Sequence, residues 1–358
     1  AEDTTTKEYT HEINVTNIAP YGQIDLFKTD KDTKEPLGGI TFELTAKEDI
    51  YSLDGRNTLL YKAGDKVSVD ISENGLYVTN ELGEIHIGNL PLGKYELKEV
   101  QTLEGYVPND TVYDIDLSYD HSDKIIYTKE INIENEKTTT EISKVSATDE
   151  KELPGAQLSL FDKEGNLVET WISGNEPHII RGLLVNEEYT LHEDLAPIGY
   201  ATASDVTFTV NADGTPTKVT MKDEITKVDI SKVDATNEKE IEGAKLTLTD
   251  KETGEVIEQW TSEKEPHRIE GLEVGKIYIL HEDLAPVGYE VASDVEFTIA
   301  DTGEVQKVVM KDQPKATVVK TGDDSQTGLY LAVMAMAGIA TLVILRKSKK
   351  KDGDMNEQ

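Results

Sequence analysis

The feature that most constrains this chain is an internal repeat. HEDLAPIGY at 192–200 returns as HEDLAPVGY at 281–289, and Trp171 with Pro177 and His178 returns as Trp260 with Pro266 and His267. Lys144 and its counterpart Lys232 stand 88 positions apart, which sets the repeat length. A unit of that size is too long for a solenoid turn and suits a small autonomous β-sandwich. Inside each unit, short runs with apolar residues at every second position alternate with turn-forming clusters. Gln157 to Phe161 leads into Lys163–Asn166, and Val206, Phe208 and Val210 lead into Asn211–Gly214. Period two is the mark of a half-buried strand, so the predicted fold is all-β, built of tandem sandwiches.

Several of these runs end on a residue foreign to a core. Lys144 follows Ile142, Glu193 follows Tyr189 and Leu191, and Asp223 follows Val219 and Met221. In the next copy Lys232 follows Val228 and Ile230, Glu282 follows Tyr278 and Leu280, and Asp312 follows Val308 and Met310. A longer variant places Lys28 after Ile24 and Leu26, Glu99 after Tyr95 and Leu97, and Asn135 after Ile131 and Ile133. Side chains two apart on a strand share a face, so all nine groups are expected to point inward. Isolated buried charges are costly, and a threefold recurrence suggests that the cost is tolerated for chemistry.

That chemistry is condensation. Burial depresses a lysine pKa and raises that of a neighbouring acid. A neutral amine can then attack an amide or acid carbon while a protonated glutamate polarises the carbonyl and passes protons to the leaving ammonia or water. Folding supplies the effective concentration that lets the reaction proceed once, giving an isopeptide bond between the first and last strands. Two plainer arrangements use the same residues: a buried ion-pair triad that never condenses, and a solvated set at strand ends.

Composition narrows the setting. With 70 acidic against 36 basic residues, the net charge of −34 repels nucleic acid and anionic lipid. There is no cysteine, hence no disulfide to staple a small domain. The apolar run at 328–345 is predicted to be a transmembrane helix, about 27 Å long, and the basic residues of 346–358 mark its cytoplasmic side, leaving the preceding chain outside. The expected organisation is 1–19 as the last strand of a preceding, truncated domain, or else an N-terminal edge strand of the first sandwich. Sandwiches follow at 20–137 (with an insertion near 47–80), 138–225 and 226–314, then a linker with a candidate sorting motif at 315–327.

The order of lysine, glutamate and amide or acid, together with ISKV, GAQL, YTLHEDLAPIGY, FTVN and VTMKDE, resembles the collagen-adhesin B-type repeat (SpaA-like, prealbumin-like or Ig-like) of Gram-positive surface proteins and pili. The resemblance covers about 20–314. It implies cross-links Lys28–Asn135, Lys144–Asp223 and Lys232–Asp312, promoted by Glu99, Glu193 and Glu282. The family usually carries threonine or a similar residue after that glutamate. Asp194 and Asp283 stand there instead, where an extra carboxylate is expected to bear on the glutamate's titration, and VQTLEGY at 100–106 lacks the Ala-Pro of the later copies. The tail is similar to a sortase sorting signal, with Val318, Val319, Lys320, Thr321 and Gly322 where LPxTG is expected. By that resemblance a sortase would cut after Thr321 and join it to peptidoglycan or to a pilin lysine, leaving the protein on the Gram-positive cell wall, or in the membrane before or without sorting.

The expected function is a cell-surface stalk or pilin-like protein. An adhesin or minor pilin whose own faces bind host glycan or matrix protein is the alternative, with the 47–80 insertion as its first candidate surface, and an enzyme whose catalytic domain lies upstream is a third class. No enzymatic turnover, cofactor or metal is expected. His178, His267, His192 and His281 recur through duplication at spacings foreign to zinc sites, and the turns at Asp213 and Asp301 lack a calcium-loop pattern. Trp171 and Trp260 read as core or edge aromatics before they read as a ligand platform.

Overall fold

The computed structural model describes residues 19–69, 72 and 74–316. Among the described residues the regular elements are all strands, and no helix is long and apolar enough to cross a membrane. The expected transmembrane run at 328–345, the tail at 346–358, the motif Val318–Gly322 and most of the 1–19 segment lie outside the described residues.

The first sandwich sets a three-stranded sheet against a four-stranded one. The smaller sheet runs Glu84–Leu90, Tyr21–Asp30, Ile126–Asn135; the larger runs Leu76–Val78, Thr41–Ala46, Lys94–Gln101, Val112–Asp116. Alternation makes the sheets amphipathic. Along Tyr21–Asp30 every second side chain is buried, and Ile24, Leu26, Phe42, Leu44, Tyr95, Leu97 and Ile133 meet in one core. Burial of each such side chain is worth about 1.5–3 kcal/mol. The second sandwich repeats the plan with His178–Arg181, Thr139–Ser146, Thr217–Asp223 and with Leu167–Ile172, Gln157–Phe161, Glu188–Leu195, Val206–Thr209. The third does so with His267–Glu270, Lys227–Asp234, Val305–Asp312 and with Val256–Thr261, Lys245–Asp250, Ile277–Leu284, Val295–Thr298. By compactness the chain divides into two units, one holding the Lys28 trio and the other holding both later trios.

Two details of pairing place the trios. In the first and third sandwiches the opening and closing strands lie side by side and parallel. Lys28 is level with Ile133 and Lys232 with Met310, so the amide or acid sits two residues further along the neighbouring strand, on the same face. The second detail is a register shift directly after each glutamate. Phe42 pairs with Glu99 but Thr41 with Gln101; Leu158 pairs with Glu193 but Gln157 with Leu195; Leu246 pairs with Glu282 but Lys245 with Leu284. Val100, Asp194 and Asp283 are therefore the extra residues of three equivalent β-bulges, a device that re-aims neighbouring side chains.

The 47–80 segment contains a small hairpin, Ile50–Tyr51 against Leu59–Tyr61, and the strand Leu76–Val78, which holds the edge position taken by Leu167–Ile172 and Val256–Thr261 in the later sandwiches. The hairpin exposes Tyr51, Leu53, Leu59 and Leu60.

Candidate cross-linking sites

The smaller sheet of each sandwich supplies the lysine and the amide or acid, and the larger sheet supplies the glutamate from across the core. All nine side chains belong to residues no more than 5% exposed, as the period-two pattern predicts.

In the first sandwich the Lys28 ammonium nitrogen lies 3.9 Å from Glu99 Oε2. Asn135 Nδ2 donates to Glu99 Oε1 at 2.7 Å and to Thr102 Oγ1 at 2.8 Å. Lys28 Nζ and Asn135 Oδ1 are buried with no hydrogen-bond partner. Burial pushes the Lys28 pKa down to about 8, against the opposing charges of Glu99, Glu134 and Asp30. It also raises that of Glu99, while Asn135, Lys28 and Thr102 pull the other way. Both shifts run towards the neutral amine and the protonated acid, the pair that condensation needs.

The other two sites are near copies of each other. Lys144 Nζ donates to Asp223 Oδ1 and lies 2.8 Å from Glu193 Oε1; Lys232 Nζ donates to Asp312 Oδ1 and lies 2.9 Å from Glu282 Oε1. The far oxygen of each glutamate accepts a backbone N–H at 2.6 Å, from Ala203 in one and Ala292 in the other. Burial lifts the Asp223 carboxyl to about 7 and that of Asp312 to about 6, against the pull of the lysine beside each. A carboxylic acid with a raised pKa is the form an amine can attack with loss of water.

The bulges correct one expectation. Asp194 and Asp283 turn away from the trios. Asp194 Oδ2 accepts from Ser159 Oγ and Asp283 Oδ2 from Thr247 Oγ1, both at 2.6 Å, and both carboxylates are partly exposed. Thr102, Ala203 and Ala292 were not singled out from the sequence. Thr102 carries a local signal, since the third residue after the glutamate is Ala196 and Ala285 in the later copies.

The recurrent histidines make surface pairs. His178 stacks on Trp171 with ring centroids 4.4 Å apart and contacts Glu169 at 2.9 Å; His267 does the same with Trp260 and Glu258 at 4.5 and 2.8 Å. His192 contacts Asp205 and His281 contacts Asp294, each at 2.7 Å. Among the described residues no group of three His, Cys, Asp or Glu side chains is placed to hold a metal ion.

The model of the family described as SpaA, a prealbumin-like fold domain, matches residues 22–133, 138–225 and 226–314. The chain belongs to this family. Among solved structures, the Bacillus anthracis TIE protein is 24% identical, with 82% of this chain and 51% of that one covered at a TM-score of 0.41. The Streptococcal ancillary pilin is 19% identical, covering 83% of this chain and 100% of its own at a TM-score of 0.31. The full-length major pilin SpaD from Corynebacterium diphtheriae is 13% identical, with 85% and 99% covered at a TM-score of 0.35. The chain spans about half the length of the TIE protein. A search of curated proteins gave no match. The three SpaA domains differ in one chemical respect: the first sets an asparagine beside its lysine, the second and third an aspartate.

Proposed function

We propose that this chain is a cell-surface stalk or pilin-like protein whose sandwiches each close on a self-formed isopeptide bond: Lys28–Asn135, Lys144–Asp223 and Lys232–Asp312. Glu99, Glu193 and Glu282 act once each, passing the proton from the attacking nitrogen to the leaving group, so the reaction is maturation and not turnover. The observation that carries this reading is the burial of a lysine, a glutamate and an amide or acid against one another in every sandwich. In the first and third sandwiches the lysine and its target lie on parallel neighbouring strands, the first and last of the domain. Tension at the ends of such a domain loads the bond between those strands and bypasses the chain between them.

Anchoring belongs to the same reading. A sortase would cleave after Thr321 within Val318–Gly322 and join the chain to peptidoglycan or to a pilin lysine, placing it on the Gram-positive cell wall, with 328–345 holding it in the membrane beforehand.

Single-molecule pulling on residues 19–316 tests the stalk. Lys144 and Asp223 are 79 residues apart and Lys232 and Asp312 are 80 apart. The native protein is expected to rupture without releasing those lengths. Glu193→Ala or Glu282→Ala should each release about 280 Å more chain. Full-length release from the native protein would overturn the proposal.

The exposed apolar hairpin of the insertion favours a second reading, an adhesive face for host matrix protein or glycan. Deleting 52–58 abolishes binding to host cells if that reading holds and leaves it unchanged if the sandwiches are spacers.

A further inference from the structure

Both amide hydrogens of Asn135 are held, one by Glu99 Oε1 at 2.7 Å and one by Thr102 Oγ1 at 2.8 Å. A buried primary amide has two N–H donors, and each left without an acceptor is costly. A lone glutamate oxygen fixes one of them and leaves the amide free to twist about its last side-chain bond. Two acceptors fix the amide plane, and with it the face the carbon presents to an incoming amine. Thr102 also bears on Glu99 itself, among the groups that act on that carboxyl.

The later sandwiches have no such group. Counting three residues on from the glutamate reaches Thr102 in the first, Ala196 in the second and Ala285 in the third; the Gly-Tyr pair falls at the same distance in all three, so the alignment has no slack. Where the position is alanine, the reacting residue is aspartate, held by the lysine directly through Lys144–Asp223 and Lys232–Asp312. An acid has no amide hydrogens to satisfy. Threonine therefore accompanies asparagine and alanine accompanies aspartate, as the donor inventory of the two side chains requires.

We infer that Thr102 is the residue that fits the first sandwich to an amide substrate, by holding the nitrogen that departs. This assignment rests on the cross-linking reading above. In the step it serves, the neutral Lys28 Nζ forms a bond to Asn135 Cγ, the Cγ–Nδ2 bond breaks, and Glu99 carries the proton from the attacking nitrogen to the departing one. Ammonia leaves, and no oxidant or cofactor is involved. Thr102 keeps Nδ2 within reach of Glu99 while the carbon becomes tetrahedral.

The full chain made by cell-free translation, acid-quenched at intervals and digested, gives the rate at which the Lys28–Asn135 linked peptide appears. Thr102→Ala should slow it at least about tenfold and Thr102→Ser should restore it. Thr102→Ala in an Asn135→Asp background should have no such effect on the loss of water, a readout that a merely structural role would not separate. The reciprocal graft removes dependence on the folding of that variant: Asp223→Asn with Ala196→Thr should condense at least about tenfold faster than Asp223→Asn alone. A linked peptide that forms in Thr102→Ala at the native rate, or a graft that gains nothing, overturns the inference. Absence of the linked peptide from the unaltered chain overturns the cross-linking reading instead.

Discussion

At the residue scale, the two kinds of site should answer pH differently. Lys28, with its pKa lowered to about 8 by burial, is neutral in about a tenth of molecules at pH 7, and that share grows as pH rises towards 8. Condensation in the first sandwich should therefore speed up over that interval. Asp223 and Asp312 must be protonated to be attacked, and burial lifts them only to about 7 and about 6. Their lysines must be neutral as well, and a neutral amine beside a protonated acid carries the same number of protons as the ion pair, so their condensation should stop gaining from a rise in pH above those values. Linked-peptide yields from translation at about pH 7 and about pH 8 separate the two: a gain at Lys28–Asn135 with little change at Lys232–Asp312 is expected, and an equal gain at all three sites would contradict the assignment of roles. The identity and inward aim of all nine groups were legible from period two alone. The second acceptor on Asn135 was not, because Thr102 lies past the end of its strand, where alternation no longer says where a side chain points.

Strand alternation also fails at the bulge. Read as a continuous strand, Glu193 and Asp194 differ only in face, and nothing local says that an extra residue is inserted between one pairing and the next. The insertion lets Glu193 face the core while Asp194 reaches Ser159 on the other side. Asp194→Ala should therefore leave condensation in the second sandwich intact and cost about 1 kcal/mol, the net worth of one hydrogen bond. Mass and thermal unfolding measured together check this; an Asp194→Ala protein that keeps its water would mean the aspartate acts on the trio. The parallel pairing of first and last strands was likewise hidden, because pairing between segments about 80 to 100 residues apart leaves no local pattern. Gly83 shows how closely that opening strand is packed. Its φ is +72°, Lys28 N–H donates to its carbonyl at 2.7 Å, and a Cβ there would sit 2.3 Å from the Lys28 carbonyl oxygen. Gly83→Ala should displace the nucleophile's strand and slow its condensation.

At the scale of the whole molecule, the repeat carried the architecture. Duplication of the HEDLAP segment and of the Trp–His pair gave two sandwiches directly, and the trio alone extended the count to the third, more divergent copy at 22–133. In a chain without cysteine the proposed isopeptide bond would stand in for a disulfide: by analogy, closing a loop of about 80 residues is worth about 4–5 kcal/mol. Attachment is tested separately. Thr321→Ala should move the protein from the cell-wall fraction to the membrane fraction of a Gram-positive host; an unchanged wall fraction would contradict sorting at that motif.

The most direct test is the intact mass of the native protein. Three completed bonds leave it lighter than the sum of its residues by one ammonia and two waters, and Lys144→Ala should retain one of those waters and lose resistance to heat and protease. A mass equal to the full sum would mean that the lysines and their partners remain separate groups, and the three sandwiches would be spacers without a staple.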